Sequence, residues 1–336
     1  MSTIRDVAKQ AGVSTMTVSR VLNNSGYISP ETRERVERTV AELGYVRNTL
    51  ASSLRFKQTK TIALILTDIT NPFFTTIARG VEDTASENNF HVIFCNTDES
   101  LEEEAEHLNT LLQRQVDGVL LVPARNSSEL VRFAQARKTP VVVLDRHLSD
   151  IKVDTVRCDS KQGAYQLIKH LLDLGHERIA VLSGPDDVST AMDRVAGYFQ
   201  ALQEAGRNID PELVLFGEFI QTSGYQMARQ ALALTPRPTA LFAANNFIAI
   251  GAYRALRGTS LRIPEDISLV AFDDLPAPLV MEPFLTVAAQ PAYEMGQQGT
   301  ELLLTRLAGE SPIEPQEIIL PTQLIIRRSS GPPPID

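Results

Sequence analysis

Asp68, Asn71, Asp145, Arg146, Arg194, Asn245 and Asp273 share a placement: each stands at or shortly beyond the end of a short apolar run. Carboxylate, amide and guanidinium groups can each bridge adjacent hydroxyls, and the rings of Phe73 and Phe74 can pack on an apolar ring face. Such a set suits a sugar or a related polar ring. It does not suit bond-breaking chemistry. No Gly-x-Gly-x-x-Gly or Walker-type phosphate loop follows a strand, and there is no nucleophile elbow. The five histidines, at 91, 107, 147, 170 and 176, lack metal-ligand spacing, and Asp273-Asp274 are sequential, so they need not converge as an acid/base pair. The expectation is therefore a binding protein with no catalytic residue, no metal and no cofactor. Plainer roles stay open for single positions. Asp68 and Asp273 suit a cap equally well, one of Phe73 and Phe74 suits simple core, and Arg146 suits a surface or dimer contact.

A second constellation lies at the other end of the chain. In Val7-Ala8-Lys9-Gln10-Ala11-Gly12-Val13-Ser14 a small residue stands where two helices would approach, Gly12 permits a tight turn and Val13 anchors it inward. On the helix that follows, a rotation of about 100° per residue puts Val18, Val21 and Leu22 on one face. Thr15, Met16, Ser19 and Arg20 fall on the opposite face, as a recognition helix in the major groove would require. Arg20 can reach guanine with two hydrogen bonds, while Thr15 and Met16 offer hydroxyl or apolar contacts to base edges. Further along, Asn48 can cap a short helix in which Ala51 and Leu54 share a face. Some eight residues cannot hold a helix alone in water, so this segment should order only with a partner. Leu54 with Arg55 beside it suits a minor-groove wedge.

The charge is divided to match. Residues 1–60 hold ten Lys/Arg against five Asp/Glu, a balance of +5, whereas the remaining 276 carry a balance of −14. A basic head on an acidic body points to a polyanion met by the head alone. The first 45 residues read as three helices without a strand. Thr3 and Asp6 cap the first, Ser14 caps a second over about Thr15–Asn23, and Ser29-Pro30-Glu31 opens a third that Gly44 ends. From Thr61 onward, apolar runs alternate with amphipathic helical stretches. The strands are Thr61–Thr67, His91–Cys95, Gly118–Val122, Pro140–Leu144, Arg178–Ser183, Thr239–Ala243 and Ser268–Phe272. The helices cover about Phe73–Asn88, Leu101–Gln115, Ser127–Ala136, Gln162–Leu174, Thr190–Ala205, Ser223–Leu234 and Asn245–Leu256. That alternation predicts parallel sheets with helices on both faces, and about 270 residues suit two such lobes.

With 336 residues, 43% of them hydrophobic, the chain is ample for this plan. It has no apolar run of about 18 residues to span a membrane. The opening MSTIRDVAKQ lacks the apolar stretch of a secretory signal, and two cysteines, Cys95 and Cys158, form no disulfide framework. A cytoplasmic protein is expected.

Thr3-Ile4-Arg5-Asp6-Val7-Ala8, Ala11-Gly12-Val13-Ser14, Thr17-Val18-Ser19-Arg20-Val21-Leu22-Asn23 and Asn48-x-x-Ala51-x-x-Leu54 resemble the lactose-repressor/galactose-repressor family of bacterial transcription regulators. The resemblance continues through Thr70-Asn71-Pro72-Phe73-Phe74, Val116-Asp117-Gly118, Leu174-Gly175-His176, Arg194-x-x-Gly197-Tyr198, Ala244-Asn245 and Phe272-Asp273-Asp274, and ends near Leu320-Pro321-Thr322. It implies a small all-α helix-turn-helix head over residues 1–46 and a hinge helix at 47–59. It also implies an α/β body of two doubly wound lobes like the periplasmic sugar-binding proteins. In that family each lobe is completed by a distant segment, which gives 60–158 with 288–317 for the N-terminal lobe and 159–287 with 318–330 for the C-terminal lobe. The resemblance implies DNA contacts at Thr3, Ser14, Thr15, Met16, Thr17, Ser19, Arg20 and Asn23 of the head and Asn48, Ala51, Leu54 and Arg55 of the hinge. Arg194, Asn245, Asp273, Phe73 and Asp145 match positions facing effector in relatives. The function implied is a repressor that binds a palindromic operator as a homodimer, with its affinity set by a small, sugar-like effector. The alternative is control by a protein co-regulator. Asn246 departs from the family, which commonly carries Asp there.

Overall fold

A computed structural model describes residues 2–46, 58–275, 282–309 and 314–334. By contacts the chain forms two units, Met1–Thr59 and Lys60–Asp336. The hinge residues Asn48, Ala51, Leu54 and Arg55 lie outside the described residues.

The first unit holds three helices, α1 (Ile4–Ala11), α2 (Thr15–Leu22) and α3 (Pro30–Glu42). Their starts follow the expected chemistry. Thr3 and Asp6 close a reciprocal capping box, Ser14 accepts from the Thr17 amide at 3.1 Å, and Ser29 accepts from the Thr32 amide with Pro30 in the first turn. Gly12 takes a left-handed conformation at φ +64°, which lets the chain turn sharply between α1 and α2. Val7, Ala8, Ala11, Val18, Val21 and Val36 are buried together as a small core.

The second unit contains two sheets. In chain order its elements begin β1 (Thr61–Leu66), α4 (Pro72–Glu87), β2 (His91–Asn96), α5 (Leu101–Gln113), β3 (Gly118–Leu121), α6 (Glu129–Ala136), β4 (Val141–Leu144) and β5 (Asp154–Cys158). There follow α7 (Ser160–Asp173), β6 (Ile179–Ser183), α8 (Ser189–Glu204), β7 (Val214–Phe216), α9 (Gln221–Ala233), β8 (Ala240–Ala243), α10 (Asn246–Arg257) and β9 (Ser268–Phe272). The chain ends with β10 (Thr286–Ala289), α11 (Ala292–Ala308), β11 (Glu317–Leu320) and β12 (Gln323–Ile325). Among the described residues each sheet has six strands, ordered β2-β1-β3-β4-β5-β11 and β7-β6-β8-β9-β10-β12. Every pairing is parallel except β10 with β12. Ile62 to Leu66 in β1 and all of β3, β4, β6, β8 and β9 are buried. That is why they appear in the sequence as unbroken apolar runs rather than alternating ones.

The seven expected strands are all present, with ends that differ by no more than one residue. Five further strands and the helix α11 were not anticipated. α11 packs on α4 through glycine: a Cβ on Gly296 would strike the carbonyl oxygen of Ile77, and one on Gly80 that of Tyr293. Glycines that permit such close approach also weaken the helical signal in sequence.

The chain passes from the first sheet to the second after β5, returns between β10 and α11, and crosses again between β11 and β12. The expected boundaries at 287/288 and 317/318 therefore fall inside β10 and at the first residue of β11, two or three residues early.

Candidate functional site

In both sheets the order places β1 and β3, or β6 and β8, side by side at the point where the chain reverses its direction of winding. Ligands of such sheets bind beyond the carboxyl ends of the strands at this point. There the two lobes enclose a cavity of about 580 Å³. Asp68, Asn71, Phe73, Phe74, Asp145, Arg146, Arg194, Asn245 and Asp273 all line it. Residues more than 200 positions apart are thus brought to one wall system.

The two deepest carboxylates are set alike. Asp145 follows β4 at φ +62° and Asp273 follows β9 at φ +67°, a left-handed conformation that short polar side chains tolerate better than most. Their amides still continue the sheets, Asp145 donating to the Val156 carbonyl and Asp273 to that of Ala288. Both side chains are about 95% buried. Burial pushes the Asp145 carboxyl up to about 6, against the opposing pull of Arg194 and Arg146. Burial also raises Asp273, with Arg194 and a hydrogen bond from Gln290 acting the other way. Gln290 donates to Asp273 at 2.6 Å.

Arg194 comes from α8. One Nη donates to the Ala244 carbonyl at 2.7 Å, and the guanidinium lies 3.9 Å from the centroid of the Phe272 ring. Asn245 caps α10 by accepting from the Ile248 amide at 2.8 Å, and its amide group reaches the Phe219 carbonyl. Asn71 caps α4, accepting from the Phe73 amide at 3.0 Å. Phe73 and Phe74 are both buried, with ring centroids 5.1 Å apart in an edge-to-face arrangement. Both belong to the first lobe's core as well as to the cavity wall.

Arg146 is neither a surface cation nor a free ligand arm. It makes two hydrogen bonds to Glu99, at 2.7 and 2.6 Å, and donates to the carbonyls of Pro123 and Ala124. Only its Nε lacks a hydrogen bond, and Asp145 Oδ2 lies 4.0 Å from it. Asp145 Oδ1, Arg194 Nε and Thr67 Oγ1 are likewise buried with no hydrogen-bond partner. Unpaired buried polar atoms are costly, and four of them belong to residues that line this cavity: two donors, one acceptor and a hydroxyl. A hydroxyl can serve either kind.

Asn246 does not act as the cap; Asn245 does. Its side chain instead faces Asn71 from the opposite lobe, with which it exchanges two hydrogen bonds. Sequence reasoning missed Glu99, Arg125, Glu218 and Phe219, which also line the cavity, and Gln290, whose amide holds Asp273. They carry no motif. Glu99 stands among other acids in a loop, Glu218 is a lone acid in a loop beside Phe219, and Gln290 follows a strand that the apolar pattern did not reveal.

In the head, Thr15, Met16 and Arg20 are exposed on one face of α2, with Met16 at 64%. Thr3 and Ser14 spend their hydroxyls on the caps described above. Thr17 is half-buried with its hydroxyl 2.9 Å from that of Ser14, and Asn23 donates to Ser19 at 3.2 Å. Among the described residues no helix is long and apolar enough to cross a membrane, and no three His, Cys, Asp or Glu residues are grouped to hold a metal ion.

Known proteins share this arrangement from end to end. Residues 3–48 match the family described as bacterial regulatory proteins, lacI family, and residues 59–328 match the periplasmic binding proteins and sugar binding domain of LacI family. The ribose operon repressor of Halalkalibacterium halodurans is 36% identical over 334 residues, covering 98% of this chain and 97% of that protein. The structure of a complex of the transcriptional regulator CelR with cellobiose is 34% identical with a TM-score of 0.75, over 98% of this chain and 100% of that one. The lac repressor dimer bound to operator and the anti-inducer ONPF gives a TM-score of 0.85 at 28% identity, over 98% and 99%.

Proposed function

Because the chain belongs to the lacI family of bacterial regulatory proteins, we propose that it is a repressor whose hold on an operator is set by a neutral sugar or sugar derivative bound between its two lobes. The observation that carries this reading is the convergence of Asp145, Arg194, Asn245 and Asp273 on one cavity, together with the buried unpaired atoms there. A ring bearing several hydroxyls supplies both the donor that Asp145 lacks and the acceptors that Arg146 and Arg194 lack. The cavity is large enough for more than a single small ring. The relatives named for ribose and found in complex with cellobiose make those sugars the first to try.

On the DNA side, Thr15, Met16 and Arg20 read base edges from α2, while Thr3, Ser14, Thr17, Ser19 and Asn23 meet the phosphates with hydroxyls, amides and the start of the helix. Asn48, Ala51, Leu54 and Arg55 serve the hinge between head and body. Two copies related by a two-fold axis would read a palindrome, and the similar lac repressor is bound to its operator as a dimer. A ligand changes operator affinity only by binding one arrangement of the lobes better than the other.

The test is an operator-binding titration at fixed salt with ribose, cellobiose and a wider panel of neutral sugars, with and without cell extract. A shift in operator affinity with a purified sugar supports the proposal. A response that appears only with a protein fraction from the extract favours a co-regulator.

A further inference from the structure

We propose that Arg125 is a clasp that fastens the two lobes together before any ligand arrives, with Asp187 and Glu218 of the second lobe as its catch. Arg125 follows β3 in the first lobe. Its Nε lies 3.3 Å from Asp187 Oδ2 and its Nη2 lies 3.5 Å from Glu218 Oε2. Its Nη1 donates to Glu99 at 3.2 Å and to the carbonyl of Ala124 at 2.9 Å. One guanidinium thus meets three carboxylates from two lobes at the rim of the cavity.

The first lobe's half of the clasp is held ready. Asp98 and Glu99 occupy the left-handed region at φ +46° and +63°, an uncommon conformation for two successive residues with side chains. Glu99 is fixed there by its paired hydrogen bonds from the buried Arg146. The guanidinium of Arg125 therefore docks on an anion that cannot swing away. The second lobe's half is simpler. Asp187 and Glu218 have side chains 56% and 55% exposed, and the Glu218 amide donates to Ser223 at 2.9 Å. Beside the ion pairs, the Asn126 amide donates to the Asp187 carbonyl across the gap at 3.2 Å.

Other contacts also join the lobes, but none brings a permanent cation to acids of the other lobe at the rim. Asn71 and Asn246 form a neutral amide pair, the His147 amide donates to Ser189 Oγ at 3.0 Å, and the His147 ring lies 3.3 Å from Asp193, a pair that is ionic only when the imidazole is protonated. Salt screens exposed charges and leaves buried amides largely untouched. The clasp therefore makes the closure of the empty cleft sensitive to ionic strength, and it does so whatever the cleft binds. Arg125 acts through the position of the lobes and is a positioning residue.

The backbone amide of His147 is a reporter of closure that Arg125 does not touch. Hydrogen exchange of the ligand-free, full-length chain should show this amide exchanging about three to ten times faster in Arg125→Ala, as expected for two exposed ion pairs. Arg125→Lys should fall between that variant and the wild type. The exposed double variant Asp187→Asn with Glu218→Gln should match Arg125→Ala. Raising the salt from about 0.05 to about 0.5 M should speed the wild-type amide clearly more than the Arg125→Ala amide. An unaltered His147 rate in both variants, or a salt response as large in Arg125→Ala as in the wild type, would overturn the proposal.

Discussion

Asn71 and Asn246 exchange two amide hydrogen bonds across the cleft, each side chain donating to the other at 3.1 and 2.9 Å. The pair is buried, and Asn71 also caps α4 with the same oxygen that accepts from Asn246. An amide both donates and accepts; a carboxylate only accepts. Asn246→Asp, the residue common in the family, keeps one of the two bonds and places a charge in a buried site. It should lower stability by about 1–2 kcal/mol. Urea unfolding of the body followed by circular dichroism is the measurement, and an unchanged midpoint would show that the second bond contributes nothing.

Asp145 carries a buried carboxylate with one unpartnered oxygen and a pKa raised to about 6. Its folded-state value lies above the unfolded one, so the native state binds more protons and stability falls as pH rises from about 4 to about 6. Asp145→Asn removes that cost and retains a residue suited to the left-handed backbone. In the ligand-free protein it should gain roughly 2–3 kcal/mol at pH 7 and nothing at pH 3.5. Melting curves of variant and wild type at both values give the difference directly, since every other titrating group is common to the two. A gain of equal size at both pH values would mean that packing, not charge, is responsible.

Arg194 and Asp273 meet the cavity from the second lobe, with Asp145 facing them from the first. Arg194→Ala and Asp273→Ala should weaken an effector by about 1.5–3 kcal/mol, or 10- to 150-fold. Operator affinity without effector should stay as in the wild type. Calorimetric titration with the responsive sugar, beside operator binding, separates the two effects. Wild-type affinity for sugar in both variants would remove these residues from the site.

Arg20 projects from the exposed face of α2 beside Thr15 and Met16. Arg20→Ala should cost about 1–3 kcal/mol in specific binding and relax the preference at one base pair in each half-site. Selection of binding sites from random DNA is the check. A variant that keeps every wild-type preference would assign Arg20 to phosphate.

Much of this molecule was legible in its sequence because burial on both faces writes a strand as a solid apolar run, as in β1, β4 and β9. β5, with the sequence Asp-Thr-Val-Arg-Cys, carries no such run. Its Asp154 is buried with two hydrogen bonds from Arg306, 152 residues away, and one from the Gln316 amide. No local pattern encodes that. The edge strands β7, β11 and β12 are only partly buried and so too mixed to stand out. Among the residues that line the cavity, those at the ends of the visible strands stand out in the sequence. Glu99, Arg125 and, beside Asp273, Gln290 do not, because they matter through partners that only the fold supplies. Arg146 stands out too, but its commitment to Glu99 depends on a loop whose backbone the sequence does not announce.

The three crossings between the sheets bear on how the protein is made. The head can fold as soon as its 46 or so residues leave the ribosome. Neither lobe can, because the first lacks α11 and β11 and the second lacks β12 until residues near 325 have been added. At about 5–20 residues per second, the stretch from the end of β5 to β11 takes roughly ten to thirty seconds to synthesise. During that interval the open edge of β5 and the apolar face of α4 stand without their partners. The nascent body thus exposes a strand edge and an apolar helix face through about half of its synthesis, and a chain that stops inside this stretch carries a three-helix head on an unfinished body.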